Sequence, residues 1–208
     1  MLKVLGRPSS INVRKVLWLG VELALPMEHE ARWGEPGTLQ TAEYRALNPN
    51  GLVPVIVDDG FVLWESNAIC RHLASRERRD DLYPVDLRPR AIVDQWMDWQ
   101  TTQLNISWRY AFLALVRGTP REPDPAAVAE STAAWHRHMA ILDAQLARTG
   151  AWVTGDRFTL ADLVLGLSTH RWLATPLESR PDLPAVLAFE QRLREREGYR
   201  LHGRNGTP

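Results

Sequence analysis

The chain has 208 residues, 45% of them hydrophobic, and its 25 basic side chains balance its 25 acidic ones. That length allows one or two domains with a sizeable core, and the even charge removes the electrostatic footprint of a nucleic-acid binder. One cysteine, Cys70, excludes an intrachain disulfide framework, and no stretch approaches the roughly 20 apolar residues needed to cross a bilayer.

The first element in chain order is a short β-like run, Lys3–Gly6, ended by the turn-like Arg7-Pro8-Ser9-Ser10. From Asn12 the apolar spacing becomes helical, with Val13, Val16, Leu17 and Gly20 on one face, until Pro26 stops it. Met27–Ala31 is expected as a second strand, residues 32–41 as a loop and Ala42–Leu47 as a short helix. Asn48-Pro49-Asn50-Gly51 is a turn, and Val53–Val57 and Phe61–Trp64 flank Asp58-Asp59-Gly60 as a hairpin. Ser66 opens a helix with Ile69, Cys70, Leu73 and Ala74 inward, which gives the order β-α-β-α-β-β-α.

Residues 80–89, rich in Asp and Pro, are expected as a linker. Everything beyond has helical period: about Arg90–Val116, about Ala126–Ala147, a helix after Phe158 and one near Leu183–Arg196. An α/β half over residues 1–79 followed by an all-α half over 90–208 implies two separately built cores. Thr159-Leu160-Ala161-Asp162 has the spacing of a capping box, with Phe158 and Leu163 as its staple. The arginines at 192, 194, 196, 200 and 204 read as a solvated helix face and tail. No leader-like apolar run follows Met1, so a cytoplasmic location is expected.

There is no Gly-x-Gly-x-x-Gly, P-loop or Cys-x-x-Cys, and His136 and His138 are spaced badly for a shared metal, so no metal is expected. Three features of the first half can hold a ligand. Ser10 sits between a strand and a helix, where its hydroxyl and the free first-turn amides favour an anion and would lower a thiol's pKa. Read alone, it is equally an ordinary N-cap. Val53-Pro54 precedes a strand; a cis bond there would turn the Val53 N–H and C=O outward to a peptide-like ligand, whereas a trans bond makes an ordinary edge proline. Glu65-Ser66 can hold an amino acid's ammonium and carboxylate, or be a plain cap beside an exposed acid.

The runs Ser10-Ile11-Asn12-Val13-Arg14-Lys15-Val16, Asn48-Pro49-Asn50-Gly51-Leu52-Val53-Pro54-Val55 and Trp64-Glu65-Ser66-Asn67-Ala68-Ile69 resemble the glutathione transferases, in particular bacterial serine-type, theta-like or nu-like members. Phe158-Thr159-Leu160-Ala161-Asp162 resembles the family's capping box, so the likeness spans nearly the whole chain. It implies a thioredoxin-like domain followed by a helical one, usually as a homodimer, with glutathione as co-substrate. By the same resemblance Ser10 stabilises the glutathione thiolate, with Asn12 assisting or substituting and Ser9 competing for the role. Val53, before a cis-Pro54, pairs with the cysteinyl backbone, and Glu65 and Ser66 hold the γ-glutamyl end. Leu52 stands where theta-like members often carry Lys, so the glycyl carboxylate falls to Gln40, Arg32 or Trp33.

An electrophile pocket is expected between the domains, with Asn105, Trp108, Arg109 and Phe112 as candidates, joined by Trp172. Nine tryptophans suit flat apolar ligands, though most read as core packing. The implied activity is transfer of glutathione to a small hydrophobic electrophile. Disulfide reduction by the same thiolate, dehalogenation or isomerisation with glutathione, and a non-catalytic binding module on the same fold are the alternatives. No nucleic-acid or membrane partner is expected.

Overall fold

In the computed structural model, whose described residues are 1–206, the apolar run at the amino end becomes β1 (Leu2–Leu5), an inner strand of a four-stranded sheet. Helix α1 (Ile11–Glu22) follows, with Val13, Val16, Leu17 and Leu19 all buried. β2 (Met27–Glu30) returns parallel to β1, with Leu2 opposite Met27 and Leu5 opposite Glu30. A 3-10 turn (Thr38–Gln40) and α2 (Ala42–Leu47) lead to β3 (Val55–Asp58) and β4 (Phe61–Trp64). β3 is antiparallel to β1, with Val4 opposite Ile56, and β4 is antiparallel to β3, giving the order β2-β1-β3-β4. Helix α3 (Ser66–Arg76) buries Ile69, Cys70, Leu73 and Ala74, the inward face expected from its spacing.

The first compact unit runs from Met1 to Tyr83 and also contains Arg196–Asn205. That last segment lies in the half expected to be purely helical, yet it packs on α1. Buried Arg14 donates from Nε to the His202 carbonyl at 2.7 Å and from a guanidinium nitrogen to the Gly203 carbonyl. The rings of Trp18 and Tyr199 lie 5.2 Å apart, and Arg196 pairs with Glu22 at 2.6 Å. The expected solvated arginine tail is therefore partly a clasp, because Arg14 and Glu22 on α1 supply partners that a helical period alone does not display.

The second unit spans Pro84–Glu195. Helix α4 (Leu87–Trp99), capped by Asp86, passes through a π-turn (Gln100–Leu104) into α5 (Asn105–Arg117). The start at Leu87 lies three residues before the expected one because Asp86 Oδ1 accepts the Arg88 N–H. Asp124 caps α6 (Pro125–Thr149), with Pro125 at its first position and Gly150, φ 83°, ending it. α7 (Leu160–Ala174) is buried nearly all round, and α8 (Pro184–Leu193) buries Val186, Phe189 and Leu193. Residues 207 and 208, the last of the expected helical domain, lie outside the described residues. Among the described residues no helix is long and apolar enough to cross a membrane.

Candidate active site

The chain leaves β1 through Gly6, whose φ is +147°. A Cβ on Gly6 would come within 2.6 Å of Val13 Cγ2 and 2.9 Å of Val53 Cβ. The absence of a side chain thus lets the β1–α1 turn close against both the first turn of α1 and the loop before β3. Ser10 ends that turn in extended geometry (φ −83°, ψ 123°), and its carbonyl accepts the Arg14 N–H at 3.0 Å. Its hydroxyl, however, makes no capping hydrogen bond. An uncapped start leaves first-turn N–H groups unsatisfied and pointing out of the helix end. Ser10 and Asn12 are both half-buried there.

The Val53–Pro54 bond is cis. Sheet pairing of β3 begins only at Val55, so the Val53 amide and carbonyl lie outside the ladder. The preceding turn is pinned from behind. The Tyr44 hydroxyl and Asn48 Nδ2 both donate to the Leu52 carbonyl at 2.8 Å, and Asn48 Oδ1 accepts the Asn50 N–H at 3.0 Å. Leu52 itself is 61% exposed.

Glu65 precedes α3 with φ 74° and ψ 108°, a conformation that costs a non-glycine residue about 1–3 kcal/mol. Its side chain is exposed, and Ser66 beside it is buried. Sequence reasoning missed the group behind them. Lys15, fully buried on α1, donates to Asn67 Oδ1 at 2.9 Å and to Ser66 Oγ at 3.5 Å. No local signal marked it: with Val13, Val16 and Leu17 on one face, Arg14 and Lys15 fall where an amphipathic helix carries its solvated charges.

The first unit therefore draws Ser10, Asn12, Val53, Pro54, Glu65 and Ser66 onto its turns and helix starts. Gln40 and Arg32 are exposed, with the Arg32 guanidinium 4.1 Å from the centre of the Trp33 ring. Trp33 is buried, and its indole donates to Glu30 at 3.0 Å. Cys70 is no rival for thiol chemistry, since burial pushes its thiol up to about 12.

Asn105, Trp108 and Arg109 share the start of α5. Gln100 Nε2 donates to Asn105 Oδ1 at 2.9 Å. Trp108 turns into the helical core, with Phe112 and Trp135 at 5.4 and 5.9 Å and Arg171 over its ring at 4.6 Å. Arg109 is exposed, and Trp172 is buried. A cleft of about 460 Å³ in the helical unit is lined by Leu115, Val128, His136 and Leu177 among others, and none of these candidates borders it. Among the described residues no group of three or more His, Cys, Asp or Glu could hold a metal ion.

Residues 9–76 match the glutathione S-transferase N-terminal domain, and residues 125–192 match the glutathione S-transferase C-terminal domain. The chain is 37% identical over 202 residues to glutathione S-transferase GstB of Escherichia coli (strain K12), covering 96% of each protein. The chain belongs to the glutathione S-transferase family. A theta class glutathione S-transferase from Xanthomonas axonopodis pv. citri, solved with glutathione bound, superposes on this transferase with a TM-score of 0.89 at 37% identity, over 98% of this chain and 97% of that one. Glutathione S-transferase D7 of Anopheles gambiae is 28% identical over 205 residues, 96% of this chain and 90% of its own. The fold is that of the family: a small mixed sheet with its helices, then a helical domain.

Proposed function

We propose that this glutathione transferase binds the tripeptide along the turns of its first unit and activates its sulfur at the start of α1. The observation that carries the reading is the Ser10 hydroxyl, which stands at a helix N-terminus and makes no capping bond there. Donated instead to a ligand's sulfur, it joins the first-turn amides and the helix dipole in favouring a thiolate. Asn12, one turn position inside, offers a second donor. The Val53 amide and carbonyl, outside the sheet ladder, pair with the cysteinyl residue as an added strand would. Glu65 takes the γ-glutamyl ammonium and Ser66 its carboxylate. Gln40 or Arg32, both exposed, meets the glycyl end.

The thiolate attacks an electrophilic carbon of a small hydrophobic molecule. A carbon–sulfur bond forms, and the leaving group departs with its electron pair. On the electrophile side, Arg109 steadies the charge that develops on that group, and Asn105, held by Gln100, orients it. Trp108 backs them from the core. The working form is a homodimer in the cytoplasm.

Calorimetry with glutathione, followed by parallel assays with an aromatic halide and a mixed disulfide, tests this. Saturable binding with turnover of the halide is expected. Binding with turnover of the disulfide alone would move the chemistry to reduction, and binding with neither would leave a non-catalytic module. Absence of saturable heat would sink the site altogether.

A further inference from the structure

We propose that the cleft of about 460 Å³ in the helical unit is a binding site for a small apolar amine, separate from the residues assigned to glutathione and its electrophile. Every residue that lines it belongs to the second unit, and none of them is a candidate for the tripeptide or for the electrophile. The proposal therefore stands or falls independently of the thiolate site.

The cleft lies where helix ends and a loop meet. Leu115 comes from the last turns of α5, Val128 and Thr132 from the first turns of α6, and Leu177 from the segment between α7 and α8. Its volume falls within the range of about 300–1,000 Å³ that small-molecule sites occupy. Most of the wall is apolar, so it takes up hydrocarbon without selecting a polar end group.

That selection comes from two side chains of the wall. Among the described residues that line the cleft, Glu178 is an acid and there is no lysine or arginine. Glu178 is exposed and forms no ion pair among the described residues. His136 also borders the cleft, with its ring 5.9 Å from Trp172 and nearly perpendicular to it. Its Nε2 is buried without a hydrogen-bond partner. Burial, then the charge of Arg180, holds the imidazole below its ordinary value of 6.5, so at neutral pH it is uncharged and keeps a lone pair that accepts.

The one cation whose charge reaches His136 is committed elsewhere. Arg180 donates from Nε to the Trp172 carbonyl at 3.1 Å. One of its terminal nitrogens donates to the carbonyls of Trp172 at 3.0 Å, Leu173 at 3.2 Å and Thr175. These carbonyls close the negative end of the α7 dipole, which already answers the guanidinium charge. An unpaired carboxylate and an imidazole lone pair both select a ligand that donates, and the carboxylate selects positive charge as well. A protonated amine satisfies both, an alcohol only the hydrogen bond, and a carboxylate is repelled by Glu178.

The test uses three probes with the same phenethyl body: phenethylamine, phenethyl alcohol and hydrocinnamate. Their affinities for the full chain are read by calorimetry at neutral pH, with and without saturating glutathione. Saturable binding is expected in the order amine, alcohol, acid, unchanged by glutathione. Glu178→Gln, on an exposed loop, should weaken the amine about fivefold, the upper end for an ion pair open to solvent, and the alcohol by less than about twofold. Ala129→Trp, an exposed position of α6 that borders the cleft, fills it and should abolish binding of all three probes. Urea unfolding checks both variants, and if Ala129→Trp does not fold, the probe order and Glu178→Gln decide alone. The proposal is overturned by an amine that shows no saturable heat, by an acid that binds as tightly as the amine, or by Glu178→Gln that leaves the amine unchanged. Competition between the amine and glutathione would overturn it too, because the amine would then occupy the tripeptide's own site.

Discussion

Helices α1 and α7 both start on a hydroxyl residue, and they use it in opposite ways. At α7, Asp162 reaches back to the Thr159 N–H at 2.8 Å and the Val153 N–H at 2.7 Å, and the Thr159 hydroxyl donates to it at 3.0 Å. The reciprocal box is complete and all of it is buried. At α1, Ser10 has the backbone of a cap but its hydroxyl does not cap. No acid stands in the first turn to close a box. The first arrangement is what stability selects at a helix end. The second leaves first-turn donors without a side-chain cap, the feature on which the proposed thiolate site rests.

The largest effect that sharpens the contrast is on activity. Ser10→Ala should lower kcat for conjugation roughly 100- to 1,000-fold, about 3–4 kcal/mol, as expected when one donor to a developing or stabilised anion is removed. Its urea midpoint should correspond to a change below about 0.5 kcal/mol, because no capping bond is lost. Ser9→Ala, assayed beside it, should retain most activity. If Ser10→Ala destabilises like a lost cap and keeps its activity, the contrast is broken.

The converse holds at α7. Asp162→Ala strands the buried Val153 and Thr159 N–H groups, and each orphaned donor costs about 1–3 kcal/mol, so a total near 3 kcal/mol is expected. Thr159→Ala, which removes only the hydroxyl, should cost about 1 kcal/mol. Glutathione affinity measured well below the unfolding midpoint should not change in either variant. A selective loss of affinity in Asp162→Ala would mean that the box serves the site and not only the fold.

The same contrast explains what was legible in the sequence. The capping box, the Pro-Asn-Gly turn and the hairpin at Asp58-Asp59-Gly60 are local, and local chemistry determines them. The hydrophobic period placed the helices to within a few residues, and the order of strands and helices along the chain followed from their alternation, whereas the sheet order β2-β1-β3-β4 came with the structure. Three things were not local. Arg196–Asn205 joins the first unit through Arg14, Trp18 and Glu22, contacts separated by up to 189 residues that no window contains. Trp108 has the composition of an aromatic pocket wall, but its place in the core depends on Phe112, Trp135 and Arg171 meeting it. Lys15 reads as one more cation until α3 is laid beside α1 and its partners appear. At Ser10 the sequence left a cap and a ligand donor both open, and in the structure the hydroxyl makes no capping bond.

The smallest effect is in the pH dependence of the α7 box. Burial pushes the Asp162 carboxyl up to about 6, against the hydrogen bonds from Val153 and Thr159 that favour its charged form. The ordinary value for this group is 3.8, so the folded state binds the proton more tightly than the unfolded chain between those two limits. Its contribution to stability is therefore full below about pH 4 and fades as pH rises through about 6. Between pH 5 and pH 7.5 the wild type should lose about 1 kcal/mol from this group. Asp162→Asn cannot titrate there, and every other group is common to both proteins. The difference between the two urea midpoints should thus narrow or widen by that amount across the interval, with the wild type losing ground toward pH 7.5. A wild type that instead gains on Asp162→Asn as pH rises would mean that the three donors outweigh burial, and that the box at α7 holds Asp162 as a carboxylate.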